Sequence, residues 1–211
     1  MTKLIDISRR LTASLAPWPG DSPFRRDIIL TLANGDAVNL STISVSSHFG
    51  THVDAPFHFV EDGKRMDEVD LRPYWGKAQV VTVTKGDGPL TPEDFSHVNP
   101  ALAPRILVRT PLQSVPHDTF PDAIPHPSPA LADWLGQHGI ILYGTDAPSM
   151  DALDSKDLPG HHALHRNSIL ILEGLDLSAA PDGLYELAAL PLKIGGGDGS
   201  PVRAVLRTIE G

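Results

Sequence analysis

Three histidines and one aspartate follow one another closely enough to build a single chemical site. They are His48, His52, Asp54 and His58, and Gly50 and Pro56 lie between them. All four numbers are even, so an extended backbone sends the side chains to one face. Imidazoles and a carboxylate turned inward need a partner, and zinc accepts both as ligands. The pattern predicts a metal site.

A polar strand face with solvated histidines is the alternative, because the chain holds 10 histidines in all. Gly50 and Pro56 favour the metal site, since they indicate a shaped turn rather than a plain exposed strand.

A second group of ligand-type residues lies later in the chain. Glu173 ends the apolar run Ile169-Leu170-Ile171-Leu172, and a buried carboxylate needs a cation or donors. Three histidines precede it, and the spacing leaves open which of them points inward: His161, His162 or His165. In the other interpretation, Glu173 caps a turn and the histidines are solvated.

Three further segments can each be interpreted as functional or as structural. Trp18 lies between prolines in a stiff early loop, where it either forms an aromatic wall for a planar ligand or packs the loop onto the core. Asp146 follows a predicted strand and is expected to form a turn rather than to reach the site. The glycine-rich segment 195–201 lacks the Lys-Ser/Thr of a phosphate loop, so we expect a tight loop at the rim of a pocket.

Composition excludes several classes of protein. The 211 residues include no cysteine, which rules out disulfides and thiolate metal sites. The net charge of −9 and the lack of a Lys/Arg run disfavour nucleic-acid binding. No window reaches the roughly 20 apolar residues of a membrane span, and the N-terminus resembles a first strand rather than a secretory signal. A cytoplasmic protein with one domain over residues 1–211 is expected.

Strands dominate the predicted secondary structure, which indicates a mixed α/β fold with few helices. The predicted strands are 4–8, 27–32, 40–46, 78–84, 105–109, 140–144, 168–173, 184–190 and 202–208. A cap residue followed by proline predicts helices after Thr91 and after Ser128, the latter over 130–137. A weaker helical stretch covers 161–166.

These motifs together resemble the cyclase family of metal-dependent hydrolases. The resemblance is carried by His-Phe-Gly-Thr-His-Val-Asp-Ala-Pro-Phe-His-Phe, the early Trp-Pro-Gly-Asp, Asp-Ser-Lys before His161, Ile-Leu-Glu-Gly and Gly-Asp-Gly-Ser-Pro-Val-Arg. They run in the family's order from about residue 5 to residue 207. The fold implied is a swivelling β/β/α domain, and family members are usually homodimers.

The resemblance also implies a set of roles. Two ions per subunit are expected, zinc with manganese as the alternative, held by His48, His52, Asp54, His161 and Glu173. Asp54 would bridge the two ions. His58 matches the family's proton-transfer histidine, and Trp18 a residue that lines the substrate pocket. The Leu-Pro-Gly before His161 departs from the family pattern and puts the second ion in doubt.

The Trp-Pro-Gly-Asp loop points to the branch of the family that hydrolyses the formamide of N-formyl-L-kynurenine. Two alternatives stay open. The first is a relative that acts on another cyclic or aromatic amide, as isatin hydrolases do. The second is a metal- or ligand-binding module without turnover. No nucleic acid or membrane is expected as a partner, only a small-molecule substrate.

Overall fold

The computed structural model describes residues 2–209, which form thirteen strands, two α-helices and six short 3-10 helices. The strands are β1 (Leu4–Asp6), β2 (Arg25–Leu30), β3 (Leu40–Ser44), β4 (His52–Asp54), β5 (Trp75–Thr82), β6 (Gly88–Leu90), β7 (Arg105–Arg109), β8 (Pro125–Pro127), β9 (Leu142–Thr145), β10 (Leu170–Glu173), β11 (Gly183–Ala188), β12 (Gly199–Pro201) and β13 (Val205–Thr208). The α-helices are α1 (Pro129–Gln137) and α2 (Pro159–Arg166). The 3-10 helices are Leu32–Asn34, Pro56–His58, Arg72–Tyr74, Pro92–Phe95, Pro100–Leu102 and Pro111–Ser114.

Nine strands form one mixed sheet in the order β1-β13-β11-β5-β7-β9-β10-β4-β12. Strands β5, β7, β9 and β10 pair in parallel, and the strands on either side of them pair antiparallel. A bridge between Ser8 and Leu175 joins the chain after β1 to the chain after β10, so the sheet curls back on itself. The expectation of a mixed α/β, strand-rich fold is confirmed.

Apolar residues on the two faces of the sheet form two cores. One core includes Ile7, Val53 and Leu187 and fills the inside of the curl. The other lies between the sheet and the two helices and includes Leu131 and Leu164. Burial of both faces explains why the parallel strands are almost continuously apolar.

Most predicted elements match the observed ones to within a few residues. The differences concern one helix type, four short strands and the start of one strand. The segment after Thr91 is a 3-10 turn, Pro92–Phe95, and not an α-helix, although its capping box is present. Pro100 restricts the residue before it and stops a longer helix. Strands β4, β6, β8 and β12 were missed because each is short and, unlike the equally short β1, lies in no apolar run bounded by turn residues. Strand β5 begins at Trp75, three residues before the predicted start.

Within residues 2–209 no helix is both long and apolar enough to cross a membrane. Strands β2 and β3 form a separate two-stranded hairpin outside the main sheet.

Candidate metal centre and adjoining cavity

Three neighbouring strands of the main sheet, β10, β4 and β12, form the floor of the candidate metal site. In the antiparallel pair β10–β4, Glu173 lies opposite His52. Asp54 is two residues further along β4, so its side chain leaves the same face as His52. On the other side of β4, Gly199 of β12 lies opposite Asp54. Residues far apart in sequence are therefore brought together by strand pairing.

His48 and His58 reach this face by other routes. The prediction that one extended backbone aligns all four residues was wrong, because β4 contains only His52, Val53 and Asp54. His48 lies in a turn that precedes Gly50, whose φ of +71° bends the chain. His58 ends the 3-10 helix Pro56–His58. The two imidazole rings stack with centroids 3.9 Å apart and planes tilted by 33°.

Helix α2 contains the three later histidines, and one of them points inward. His161 is buried, whereas His162 and His165 are exposed. Pro159 occupies the first turn of the helix, and a Cβ on Gly160 would lie 2.1 Å from the carbonyl oxygen of Met150. The Pro-Gly departure from the family pattern thus allows the helix to approach the neighbouring loop closely.

The buried carboxylates of Asp54 and Glu173 lie between the imidazoles. His52 Nε2 is 3.2 Å from Glu173 Oε2 and 3.5 Å from Asp54 Oδ1. His161 Nε2 is 3.5 Å from Asp54 Oδ2 and 3.6 Å from Glu173 Oε1. Ligand atoms of His52, Asp54 and Glu173 lie within 4.8 Å of one another, and the same holds for His48, Asp54 and His58. Asp54 belongs to both groups.

Two buried oxygens in this cluster lack a hydrogen-bond partner, Asp54 Oδ2 and Glu173 Oε1. Leaving a buried carboxylate oxygen unpaired is costly, so both positions favour a cation. Nitrogen and oxygen donors converging in a protein without cysteine suit zinc, and the carboxylate oxygens also suit manganese. The residues present fit a metal ion.

Hydrogen bonds orient two of the imidazoles. The Nδ1–H of His161 donates to Asp151 Oδ2 over 2.7 Å, and the Nδ1–H of His52 donates to the carbonyl of Gly50 over 3.1 Å. These hydrogen bonds place a proton on Nδ1 of each ring and direct Nε2 at the carboxylate cluster, where it can bind a cation once no proton occupies Nε2. Metal-ligating histidines use this arrangement in general.

His48 differs from its neighbours, because both ring nitrogens face carboxylates. Nδ1 is 2.9 Å from Asp54 Oδ1 and Nε2 is 3.2 Å from Asp198 Oδ2. Burial opposes the charge on His48, but the hydrogen bond to Asp54 and the surrounding acids raise its pKa to about 9. The protonated form of His48 is therefore favoured when no metal is bound, and a cation that binds the ring must displace a proton.

Burial and neighbouring charges also set the pKa values of the other residues in the cluster. Burial works against ionisation of Asp54, yet the imidazoles around it hold its pKa well below the usual range. Burial also opposes protonation of His161, but Asp151 and Asp54 raise its pKa to about 10. For His58, burial dominates and lowers the pKa. The neutral form of His58 is therefore favoured.

A cavity of about 310 Å³ opens directly above the cluster. His58, His161 and Glu173 line its inner end, and Trp18 lines its wall. Trp18 is 36% exposed and packs edge-on against Phe120, with ring centroids 5.4 Å apart. Trp18 therefore contacts the loop residue Phe120 and presents an aromatic surface to the cavity, and binding of a planar ligand by that surface stays a prediction.

Sequence reasoning missed two carboxylates that support the cluster. Asp151 binds His161, and Asp198 accepts hydrogen bonds from His48 and from the hydroxyl of Ser47. Asp198 lies in the glycine-rich segment that was expected to form a pocket rim. A carboxylate hydrogen-bonded to each ligand histidine is the general signal that would have prompted a search for them.

Asp146 stays outside the cavity, as expected. It is fully buried and accepts hydrogen bonds from the backbone and hydroxyl of Thr110 and from Gln113. Its role is to tie the loop after β7 to the end of β9.

Comparison with known proteins identifies the family that this fold and site define. Residues 5–152 match the Cyclase family model, described as "Putative cyclase". The chain belongs to the cyclase family.

Individual relatives have names that are more specific than the description of the family. The chain is 45% identical over 211 residues to a protein from Geobacillus thermodenitrificans named kynurenine formamidase, with 98% of each chain covered. A solved structure described as a potential metal-dependent hydrolase with cyclase activity superposes with a TM-score of 0.84 at 25% identity, covering 100% of both chains. Isatin hydrolase A from Labrenzia aggregata, bound to benzyl benzoate, superposes with a TM-score of 0.79 at 26% identity, covering 99% of this chain and 94% of its own.

Proposed function

We propose that the protein hydrolyses the formamide of N-formyl-L-kynurenine to formate and L-kynurenine. One observation carries the proposal. Unpaired oxygens of Asp54 and Glu173 converge with imidazole nitrogens at the inner end of a cavity that also holds His58 and Trp18. The 45% identity to a kynurenine formamidase supports this substrate over other amides.

The metal we propose is zinc, with two ions per subunit and manganese as the alternative. His48, His52 and Asp54 would hold the first ion, and Asp54, His161 and Glu173 the second. Asp54 lies close to ligand atoms of His48, of His52 and Glu173, and of His161, which supports a shared, bridging carboxylate. When bound, such an ion supplies Lewis acidity, which lowers the pKa of water towards about 7 and polarises a carbonyl.

His58 is the residue that we propose moves the proton. Its ring lines the cavity beside the cluster. It is assigned to take a proton from the attacking water as the water oxygen bonds to the formyl carbon. The same proton then goes to the aniline nitrogen as the carbon–nitrogen bond breaks, because an unprotonated anilide is a poor leaving group.

Trp18 is proposed to orient the aromatic ring of the substrate. Its partly exposed indole forms a flat wall, and the edge contact with Phe120 fixes the plane of that wall. Offset stacking of a planar anilide on such a face contributes roughly 0.5–1.5 kcal/mol beyond area burial. The reacting carbonyl is thereby held near His58.

The test is an assay of N-formyl-L-kynurenine hydrolysis with purified protein, paired with elemental analysis before and after chelation. We expect metal content and formate release to fall together on chelation and to return together when zinc or manganese is added back. Full hydrolysis by metal-free protein would contradict the proposed centre. Metal binding without hydrolysis of any formanilide would instead support the alternative of a binding module.

Ring opening of isatin is the second activity to measure. The likeness to isatin hydrolase A motivates it, although that protein is only 26% identical. We expect formamide hydrolysis to exceed isatin opening by a wide margin in kcat/KM. The reverse order would move the protein to the isatin-hydrolysing branch without affecting the metal centre.

We also propose that the protein is a homodimer that buries the β2–β3 hairpin. Six apolar side chains on and beside this hairpin are between 50% and 64% exposed: Ile28, Ile29, Leu32, Val38, Leu40 and Ile43. Exposed apolar side chains gathered on one element of the fold indicate an interface. Light scattering should give twice the monomer mass, and Ile43→Asp should dissociate the dimer. Leu102→Asp, at an exposed leucine outside the hairpin, is the matched control and should leave the mass unchanged.

A further inference from the structure

The loop that presents Trp18 to the cavity is a tight turn of four residues. Pro19 and Gly20 occupy its central positions, Gly20 has a φ of +90°, and the backbone N–H of Asp21 donates to the carbonyl of Trp18 over 2.9 Å. Proline followed by a left-handed glycine is the pattern of a type II turn. The turn brings its first and last residues, Trp18 and Asp21, close together and fixes their relative position.

Asp21 lines the same cavity as Trp18 and His58. The other carboxylate on that lining is Glu173, which faces His52 and His161. Within residues 2–209, the carboxylate of Asp21 has no ion pair and accepts one hydrogen bond, from the backbone N–H of Ser22 to Oδ1 over 2.6 Å. Its second oxygen, Oδ2, is left without a donor. No Lys or Arg lines the cavity, so the Asp21 carboxylate stands at its wall without an ion-pair partner among the described residues.

The proposed substrate carries a charge of the opposite sign. N-formyl-L-kynurenine has a formanilide at one end and an α-amino acid, with its ammonium group, at the other. When the ring lies against Trp18, the amino-acid arm extends along the same wall, where Asp21 is fixed by the turn. A charge-assisted hydrogen bond to a carboxylate is the strongest contact that an ammonium group can make there.

We infer that Asp21 receives the α-ammonium group of the substrate and so makes the enzyme select formanilides that are free α-amino acids. This inference rests on the proposed function and deepens it. A single turn then supplies both contacts that orient the substrate, an aromatic face for the ring and a carboxylate for the amine. Specificity of this kind comes from a polar group that only the correct ligand satisfies.

The experiment compares two substrates that differ only in the amine. One is N-formyl-L-kynurenine, and the other is 4-(2-formamidophenyl)-4-oxobutanoic acid, in which hydrogen replaces the α-ammonium group. The variant is Asp21→Asn, because the amide oxygen can still accept from Ser22 and the turn is kept. We expect its kcat/KM for N-formyl-L-kynurenine to fall about 10- to 100-fold, mainly through KM. For the analogue we expect little change.

Two further variants separate the contact from general effects. Asp21→Ser keeps an acceptor for Ser22 and should show the same selective loss. Asp62→Asn removes an exposed carboxylate from the loop after His58 that does not line the cavity, and it should affect both substrates little.

Each outcome is decisive. An equal loss for both substrates in the Asp21 variants would assign Asp21 to loop structure and overturn the inference, while the proposed function would stand. The inference is also overturned if wild-type protein processes both compounds equally well. Failure of the wild-type protein to hydrolyse either compound would instead reject the proposed function itself.

Discussion

Asp151 accepts a hydrogen bond from His161 Nδ1 over 2.7 Å and two more from the backbone at the start of α2. The backbone N–H of Gly160 donates to Oδ1 over 2.6 Å and that of His161 to Oδ2 over 3.0 Å. One carboxylate therefore fixes both the start of the helix and the tautomer of its first histidine. His161 Nε2 can then face Asp54 and Glu173.

Asp151→Asn should weaken metal binding. The amide keeps one acceptor oxygen but loses the negative charge and the second acceptor, so His161 is held less firmly. Loss of such a supporting carboxylate typically lowers metal affinity about 10- to 100-fold. Competition with a graded series of chelators measures the change. Asp62→Asn is the control, and unchanged affinity in Asp151→Asn would show that His161 does not depend on Asp151.

His58→Ala should separate chemistry from metal binding. If His58 moves the proton, kcat falls roughly 10²- to 10⁴-fold while metal content stays at the wild-type level. Steady-state kinetics and elemental analysis on the same preparation test this. His138→Ala, which removes an exposed histidine that only caps helix α1, should keep full activity. Full activity in His58→Ala would reject the assignment.

Gly160→Ala should destabilise the fold. The added Cβ would lie 2.1 Å from the Met150 carbonyl oxygen, so the helix must move away from the loop that carries Asp151. Overpacking of this kind costs about 1–3 kcal/mol in the free energy of unfolding. Urea denaturation measures it. In Gly195→Ala the new Cβ meets no atom within 4 Å, and stability should be close to wild type.

Chelation should lower thermal stability as well as activity. An ion that binds only the folded state at about 100 times its dissociation constant adds about 2.7 kcal/mol. For a chain of this length, that corresponds to about 5–10 °C in Tm. Scanning calorimetry before and after chelation tests this expectation. Zinc or manganese should restore the Tm, whereas magnesium should not, because it prefers all-oxygen sites. Identical Tm values with and without metal would contradict a built-in ion.

The local sequence pattern was enough to predict much of the secondary structure. Strand β7 was predicted with its observed bounds, because its apolar residues lie between turn residues. Helix α1 was predicted from Ser128, whose hydroxyl accepts from the backbone N–H of Leu131 as a cap should. Strand β12, Gly-Ser-Pro, has no apolar pattern of its own and could not be predicted, since its pairing depends on a partner strand far away in sequence.

The choice among His161, His162 and His165 shows the limit of the pattern. All three lie in one short helix, and only packing of that helix against the sheet turns His161 inward. The supporting carboxylates Asp151 and Asp198 could not be predicted from the sequence for a related reason. Nothing in their local sequence distinguishes them from the many other acids of a chain with 26 Asp and Glu residues.

The sequence by itself determined the types of ligand, the absence of thiolates and the close spacing of His52 and Asp54, because these are properties of neighbouring residues. Only the tertiary structure decided that Glu173 lies opposite His52 and that Asp54 is shared by two groups of potential metal-binding side chains. Strand pairing and helix packing bring distant residues within a few ångströms of one another. No local periodicity records which distant residues those are.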